Sequence, residues 1–395
     1  MSSSDSIVIA GSVAQRPGIG GHTWQFLQYL LGFKRLGWRV LFLDRLETGM
    51  CFDEQGAPVA PEDSVNVRYL RRVMDDFDLA DGYSLLHDGE VISGLSRPEM
   101  RLRLQESLLL LNVMGFLDDA DLMASARLRV FLDTDPGYGQ MWQALGLANI
   151  FHSHDRYVTI AENIGKPECS IPTCDIAWVT WRQPVVLDQW PCIPLDGASR
   201  FSAIGAWRGP YDRVEYNGHT YGQRVHEFRK FFTLPQMTRS RFDLALDIDG
   251  SDAADIEALT QNGWNLVKPS TVSATPQDYR QFIQASQAEL MISRGMYVDS
   301  RCGWFSERSA CYLAAGRPVL AQDTGVSSLL PTGNGLLTFS TLEEAAEGVR
   351  EIEARRAYHA KSARELAESY FDSDKVLPIL IDRVTSSCRE GSPPL

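Results

Sequence analysis

"IVIAGSVAQRPGIGGHTWQFLQYLLGFKRLGWRVLFLD", residues 7–44, holds a strand, a loop, a helix and a second strand. Ile7-Val8-Ile9-Ala10 is short, apolar and rich in β-branched residues, and Gly11 ends it, the pattern of a buried strand. Trp24, Leu27, Leu30, Leu31 and Leu36 then recur near helical spacing, and Gly37 suits a helix C-cap. "RVLFLD", 39–44, is a second apolar run closed by an acid. A helix between two such strands returns the chain parallel to itself, so the stretch predicts a βαβ unit.

The connecting loop, "RPGIGGHTW" at 16–24, crowds Gly18, Gly20 and Gly21 together just before His22. A dinucleotide fingerprint needs Gly-x-Gly-x-x-Gly directly after the strand and an acid ending the next strand. Asp44 suits that acid, but the glycine spacing is wrong, and no Gly-Lys-Ser/Thr follows to make a P-loop. The glycines therefore bend the backbone at the helix start. His22 there is either a base for an acceptor hydroxyl or amine, or a ring that only hydrogen-bonds its own loop.

Farther along, 49–95 is polar and poorly periodic and is read as loops with a short helix near 68–75. Strand patterns return at 127–137, 157–165 and 176–191, and Pro191, Pro194 and Gly197 mark a linker. A second alternation follows, with strands at 201–209, 242–248, 264–269, 288–293, 317–325 and 335–340 and helices at 224–232, 276–287 and 307–316. A charged helical stretch then runs to residue 371, and "KVLPILIDRVTSS" makes one more amphipathic helix. These patterns predict an N-terminal α/β domain over 1–194, a second over 195–375, and a terminal helix and tail over 376–395. Ligands of such sheets sit at the carboxyl ends of the strands, so the cleft between the domains is the expected site.

The 395 residues exceed one ordinary core, which agrees with two domains. A net charge of −13 argues against a nucleic-acid or anionic-membrane partner. Seven scattered cysteines show neither paired Cys-x-x-Cys nor a disulfide frame and read as free thiols of a cytoplasmic protein. The sequence offers no signal peptide and no run of ~20 apolar residues. His152 and His154 could ligate a metal by spacing, but no carboxylate cluster accompanies them, and no metal is expected.

"GWFSERSACYLAAGRPVLAQDTG", 303–325, together with "GGHTWQFLQYLLGFKRLGWRVLFLD", 20–44, resembles glycosyltransferases of the GT-B type, in which two Rossmann-like domains face across a cleft. Ala314-Ala315-Gly316, Pro318 and Asp323-Thr324-Gly325 resemble the donor segment of the glycosyltransferase-4 group. The resemblance implies a nucleotide-diphosphate sugar as co-substrate, with no further cofactor. The donor would be held by the second domain and a small-molecule or glycan acceptor by the first, with the C-terminal helix returning to the first domain.

The donor contacts expected on this basis are Gly303, Trp304, Phe305, Ser306, Glu307, Arg308 and Ser309 at a strand-to-helix turn, where free N–H groups and the positive end of the helix dipole meet a pyrophosphate. Arg208, Arg294 and Arg301 would neutralise its charge. Gln322 and Asp323 end a strand beside the sugar, and Gly20 and Gly21 complete the set. His22 stands where inverting glycosyltransferase-1 enzymes carry their base, and Asp133 or Asp135 in "FLDTDPG" is expected to hydrogen-bond its imidazole.

The chain also departs from these groups. The two glutamates of the retaining glycosyltransferase-4 pattern are replaced by Gly303 and Cys311, so retention cannot be carried over. The expected function is a metal-independent, inverting sugar transfer with His22 as base. A sugar-nucleotide epimerase or hydrolase on the same scaffold, or a non-catalytic nucleotide-sugar-binding protein, stand as alternatives.

Overall fold

A computed structural model describes residues 6–194 and 200–386. The first domain is built on an eight-stranded sheet. Its strands are β1 (Ser6–Ala10), β2 (Arg39–Leu46), β3 (Tyr83–His87), β4 (Glu90–Gly94), β5 (Leu110–Val113), β6 (Arg129–Asp133), β7 (Arg156–Thr159) and β8 (Trp178–Thr180), in the order β4-β3-β2-β1-β5-β6-β7-β8. All pairs are parallel except β3–β4. β1 lies well inside the sheet, so every residue of it is buried, as an uninterrupted apolar run requires. The helix Gly20–Arg35 joins β1 to β2 and completes the expected βαβ unit. Asp44, at the end of that unit, is fully buried. Its carboxylate accepts the N–H groups of Ala14 (2.6 Å) and Arg45 (2.7 Å), which fastens the first loop to the sheet, and burial pushes its pKa up to about 7.

The second domain carries a parallel six-stranded sheet of β9 (Arg200–Ala206), β12 (Arg241–Asp247), β13 (Asn265–Leu266), β14 (Ala288–Met291), β15 (Val319–Gln322) and β16 (Leu336–Phe339), in the order β13-β12-β9-β14-β15-β16. Between β9 and β12 a small antiparallel hairpin forms from β10 (Val214–Tyr216) and β11 (His219–Tyr221). Asn217 and Gly218, both at positive φ (50° and 77°), turn it.

The chain re-enters the first domain at its end. Phe371 O accepts Val185 N–H (2.6 Å), Ser373 N–H donates to Val185 O (2.9 Å), and the helix Ser373–Ser386 packs on the helix Gly20–Arg35. Gly32 is required there, because a Cβ would lie 2.5 Å from Leu377 Cδ1. The returning helix was expected from 376 and begins at Ser373; the tail 387–395 and the linker residues 195–199, at the expected boundary, lie outside the described residues.

Three local features differ from or add to the sequence expectations. The segment 49–95 holds the helix expected near 68–75, as Val65–Asp76, but where loops were expected it also contains the hairpin β3–β4, turned by Asp88 and Gly89 at φ 49° and 83°. The apolar run that forms β5, unassigned from sequence, sits directly beside β1. The long C-terminal helical stretch breaks at Arg355 into Leu342–Ala354 and Arg356–Tyr370. Among the described residues no helix is long and apolar enough to cross a membrane.

Candidate active site

A cavity of about 190 Å³ opens between the domains at the carboxyl ends of their strands. The first domain supplies Arg16, His22 and Gln25 from the β1 loop and following helix, Met114 and Phe116 after β5, and Thr134 and Asp135 after β6. The second supplies Pro210 and Tyr211 after β9, Arg224 beyond the hairpin, Arg294 and Tyr297 after β14, and Trp304, Ser306, Glu307 and Arg308 at the start of the helix Glu307–Ala314. Four arginines face two carboxylates here, in a chain whose net charge is −13. That local reversal of sign is what an anionic ligand requires.

The arginines are not equivalent. Arg308 is buried and its Nε donates to Glu289 Oε1 at 2.5 Å, a pair that holds its charge firmly in place. Arg294 Nη1 donates to both oxygens of Asp135 (2.8 and 2.9 Å), and Tyr297 OH donates to the same carboxylate. Burial opposes the Arg294 charge, but Tyr297, Asp135 and Tyr138 outweigh it and keep the pKa above its ordinary value. Arg224 has no acid. Its Nη1 donates to Ala206 O (3.0 Å), its Nε has no partner, and Gly205 leaves it room, since a Cβ there would sit 2.4 Å from Nη1. Burial, then the charges of Arg308 and Arg294, drag its pKa down to about 9. A buried guanidinium without a counter-charge is costly, and an incoming anion removes that cost.

Ser306 caps the helix Glu307–Ala314 by accepting Arg308 N–H (3.3 Å), and this helix start lies on the cavity wall as the sequence anticipated. Trp304 lies face to face with Tyr297 (4.2 Å between ring centroids), and its buried indole N–H has no partner.

On the opposite wall, His22 Nε2 lies 3.0 Å from Ser12 Oγ and 3.1 Å from Ser12 O. A carbonyl oxygen only accepts, so Nε2 carries the hydrogen in the neutral ring and Nδ1 keeps the free lone pair. Burial and the neighbouring Arg16 charge lower the His22 pKa to about 4.

The expected acid–imidazole contact is absent among the described residues. Asp133 is buried and accepts from Gln140 (2.6 Å) and Thr159 (2.9 Å), which orders the turn carrying Thr134 and Asp135; burial raises its pKa to about 6. Asp135 faces the cavity but is bound across it by Arg294 and Tyr297.

Arg294, Trp304, Ser306, Glu307 and Arg308 are therefore brought together as expected, and the other assigned donor residues are not. Gly20 and Gly21 form a joint between domains. Gly20 N–H donates to Ser273 O (2.7 Å), a Cβ on Gly20 would lie 2.2 Å from Thr275 O, and one on Gly21 would lie 2.7 Å from the Tyr279 ring. Arg301 and Gly303 belong to a second joint, where Asn163 donates to Arg301 O (3.1 Å) and Gly325 O (3.2 Å) and its N–H reaches Cys302 O (3.0 Å).

Arg208 turns to Asp252, with Nε–Oδ2 at 3.0 Å. Phe305 stacks on Phe371, Ser309 Oγ donates to Met291 Sδ, and Gln322 is held by Glu227 and Ser293, all behind the wall. Asp323 ties the turn through Gly325 and Ser327. His152 and His154 bond to their own loop, and among the described residues no group of three His, Cys, Asp or Glu converges as metal ligands would.

Sequence reasoning missed Arg16, Arg224, Tyr211 and Tyr297. Their shared signal is position: each follows closely on a strand end or on the hairpin that extends one.

Comparison with known proteins bears on this geometry. The family model described as glycosyl transferase-like matches residues 229–381, which include the helix start at Ser306. Among solved structures, sucrose-phosphate synthase from Thermosynechococcus elongatus has a TM-score of 0.56 at 12% identity and covers 97% of this chain and 100% of its own. HepE of Anabaena in complex with UDP-glucose has a TM-score of 0.58 at 11% identity and covers 97% and 99%. An alpha-glucosyltransferase in complex with UDP-glucose and DNA has a TM-score of 0.59 at 11% identity and covers 96% and 98%. No curated protein sequence matches the chain. The chain thus shares the fold of these GT-B glycosyltransferases, as the sequence resemblance implied, and its second half matches the glycosyl transferase-like model.

Proposed function

We propose, for a chain with the GT-B fold and a glycosyl transferase-like second domain, that it moves a sugar from a nucleotide diphosphate to an acceptor hydroxyl or amine, with inversion and without a metal. The observation that carries this reading is Arg224, a buried cation bonded to no acid among the described residues, beside Arg308 and a helix start on one wall of the cleft, with His22 on the other. The arginines and helix amides meet the two phosphates and take up the charge of the departing diphosphate. UDP is the first nucleotide to test, since UDP-sugars occupy the solved structures of HepE and the alpha-glucosyltransferase.

In the transfer step the acceptor oxygen attacks the anomeric carbon as the bond to the diphosphate breaks on the opposite face. The acceptor proton passes to His22 Nδ1 and then to water. A base of pKa about 4 is adequate for this, because a hydroxyl already bonding to carbon becomes a strong acid. An anionic donor beside Arg16 also offsets part of the field that depresses the imidazole.

The cavity of about 190 Å³ is below the ~300–1,000 Å³ of ordinary ligand sites, so a nucleotide sugar enters as the domains part. The bonds from Arg294 and Tyr297 to Asp135 are the contacts across the cleft that must yield. Calorimetry with UDP, followed by product analysis with UDP-glucose on a panel of hydroxyl and amine acceptors, tests the reading. Saturable UDP binding and a β-configured product support it; no UDP binding at millimolar concentration, or an α-configured product, defeats the binding or the stereochemical part respectively. A cytoplasmic setting is part of the same proposal, supported by seven cysteines without a disulfide frame.

A further inference from the structure

A cavity of about 1230 Å³ lies on the opposite edge of the second domain, at the amino ends of its strands. Arg200 and Arg241 open β9 and β12, Arg317 precedes β15, and the helix Arg356–Tyr370 forms the facing wall through Arg356, Lys361 and Arg364. Six cations thus face two lining carboxylates, Glu365 and Glu368, which are paired with Lys361 and Arg364. Arg200 and Arg241 share a single acid, Asp243.

Arg317 is buried and touches no carboxylate among the described residues: its Nε and Nη2 donate to Gln284 O (3.1 and 2.7 Å), and Nη2 also reaches Ile193 O (2.7 Å). Carbonyl oxygens orient that guanidinium without neutralising it. Gln287, 3% exposed on the same wall, has neither amide atom partnered. Two buried polar side chains are thus left incomplete, one in charge and one in hydrogen bonds, around a space that also offers Ile352 and Pro318 as an apolar floor.

We propose that this cavity is a second ligand site, for a phosphorylated small molecule other than the donor. Guanidinium groups fixed by their own hydrogen bonds match a phosphate in geometry and charge, and the apolar floor takes the organic part. The site is independent of the cleft, which lies at the other ends of the same strands.

Inorganic pyrophosphate is the probe, titrated calorimetrically into the full chain with UDP saturating. Binding is expected to persist under UDP and to weaken at least tenfold in Arg241→Gln/Arg356→Gln, two exposed positions, with UDP affinity unchanged. Pyrophosphate binding that UDP abolishes, or that the double variant leaves intact, overturns the proposal. If the double variant melts well below the parent, Arg356→Gln alone carries the test, with a threefold loss expected. Failure of UDP to bind would defeat the donor reading only, because the two substitutions still decide this one.

Discussion

Arg224→Met should weaken donor binding while leaving the unliganded protein as stable as before, or more so. The guanidinium is buried and keeps one hydrogen bond to Ala206 O; the charges of Arg308 and Arg294 act against it and outweigh that of Glu289, which is paired with Arg308. Its pKa falls from the ordinary arginine range to about 9 on folding, a penalty on the order of 5 kcal/mol. The unfolded chain holds this proton more tightly, so the penalty is fully present at pH 7 and fades only as pH rises above about 9 toward the ordinary arginine range.

Methionine keeps the stem and drops the charge. Against the relief stand the lost hydrogen bond, about 1 kcal/mol, and imperfect packing, so a net gain of ~1–3 kcal/mol and a Tm raised by roughly 2–6 °C are expected. The same change removes a charge-assisted bond to phosphate, worth ~1.5–3 kcal/mol, or a loss of about 10- to 150-fold in UDP affinity. Scanning fluorimetry and calorimetry measure the two quantities on one preparation. UDP binding within twofold of the parent, or a Tm lower by more than about 5 °C, would show that Arg224 is a structural residue and refute the reasoning.

His22→Ala is expected to cut turnover about 10²-fold or more with UDP affinity nearly intact, read from kcat against Kd. The His22 pKa is depressed on folding, so this ring adds stability as pH rises from about 4 to 6.5; His22→Gln lacks that titration, so the parent-minus-variant melting difference should rise across that interval. Asp135→Asn breaks the bond across the cleft and frees Arg294, so UDP should bind several-fold tighter in calorimetry; weaker binding would show that the carboxylate organises the donor site. Gly20→Ala forces a Cβ to 2.2 Å from Thr275 O, and a loss of ~1–3 kcal/mol in denaturant melts should follow, with faster proteolysis between the domains.

The βαβ unit was legible because its strands are unbroken apolar runs and its helix keeps one apolar stripe. The β3–β4 hairpin was not, because β3 is short and mixed in polarity though buried, and β4 is half exposed; its single local sign was the Asp88-Gly89 pair. The helix start at Ser306 could be found from the strand-to-helix turn before it. Arg224 could not, since sequence does not tell which helical arginine will lack an acid; that depends on what packs around it after folding. Gly20 and Gly21 show the converse difficulty. Glycines are needed wherever something comes close, and what approaches them is the backbone at Thr275 and the Tyr279 ring rather than a phosphate.

The polypeptide passes between the two halves twice, once after Pro191 and again where Phe371 and Ser373 pair with Val185. A body joined to another at one point can swivel freely, whereas one joined at two turns about the line through them. If the cleft opens as proposed, the movement is thereby confined to a single swing, in which Asp135 and Arg294 separate along one arc and meet again on the same register.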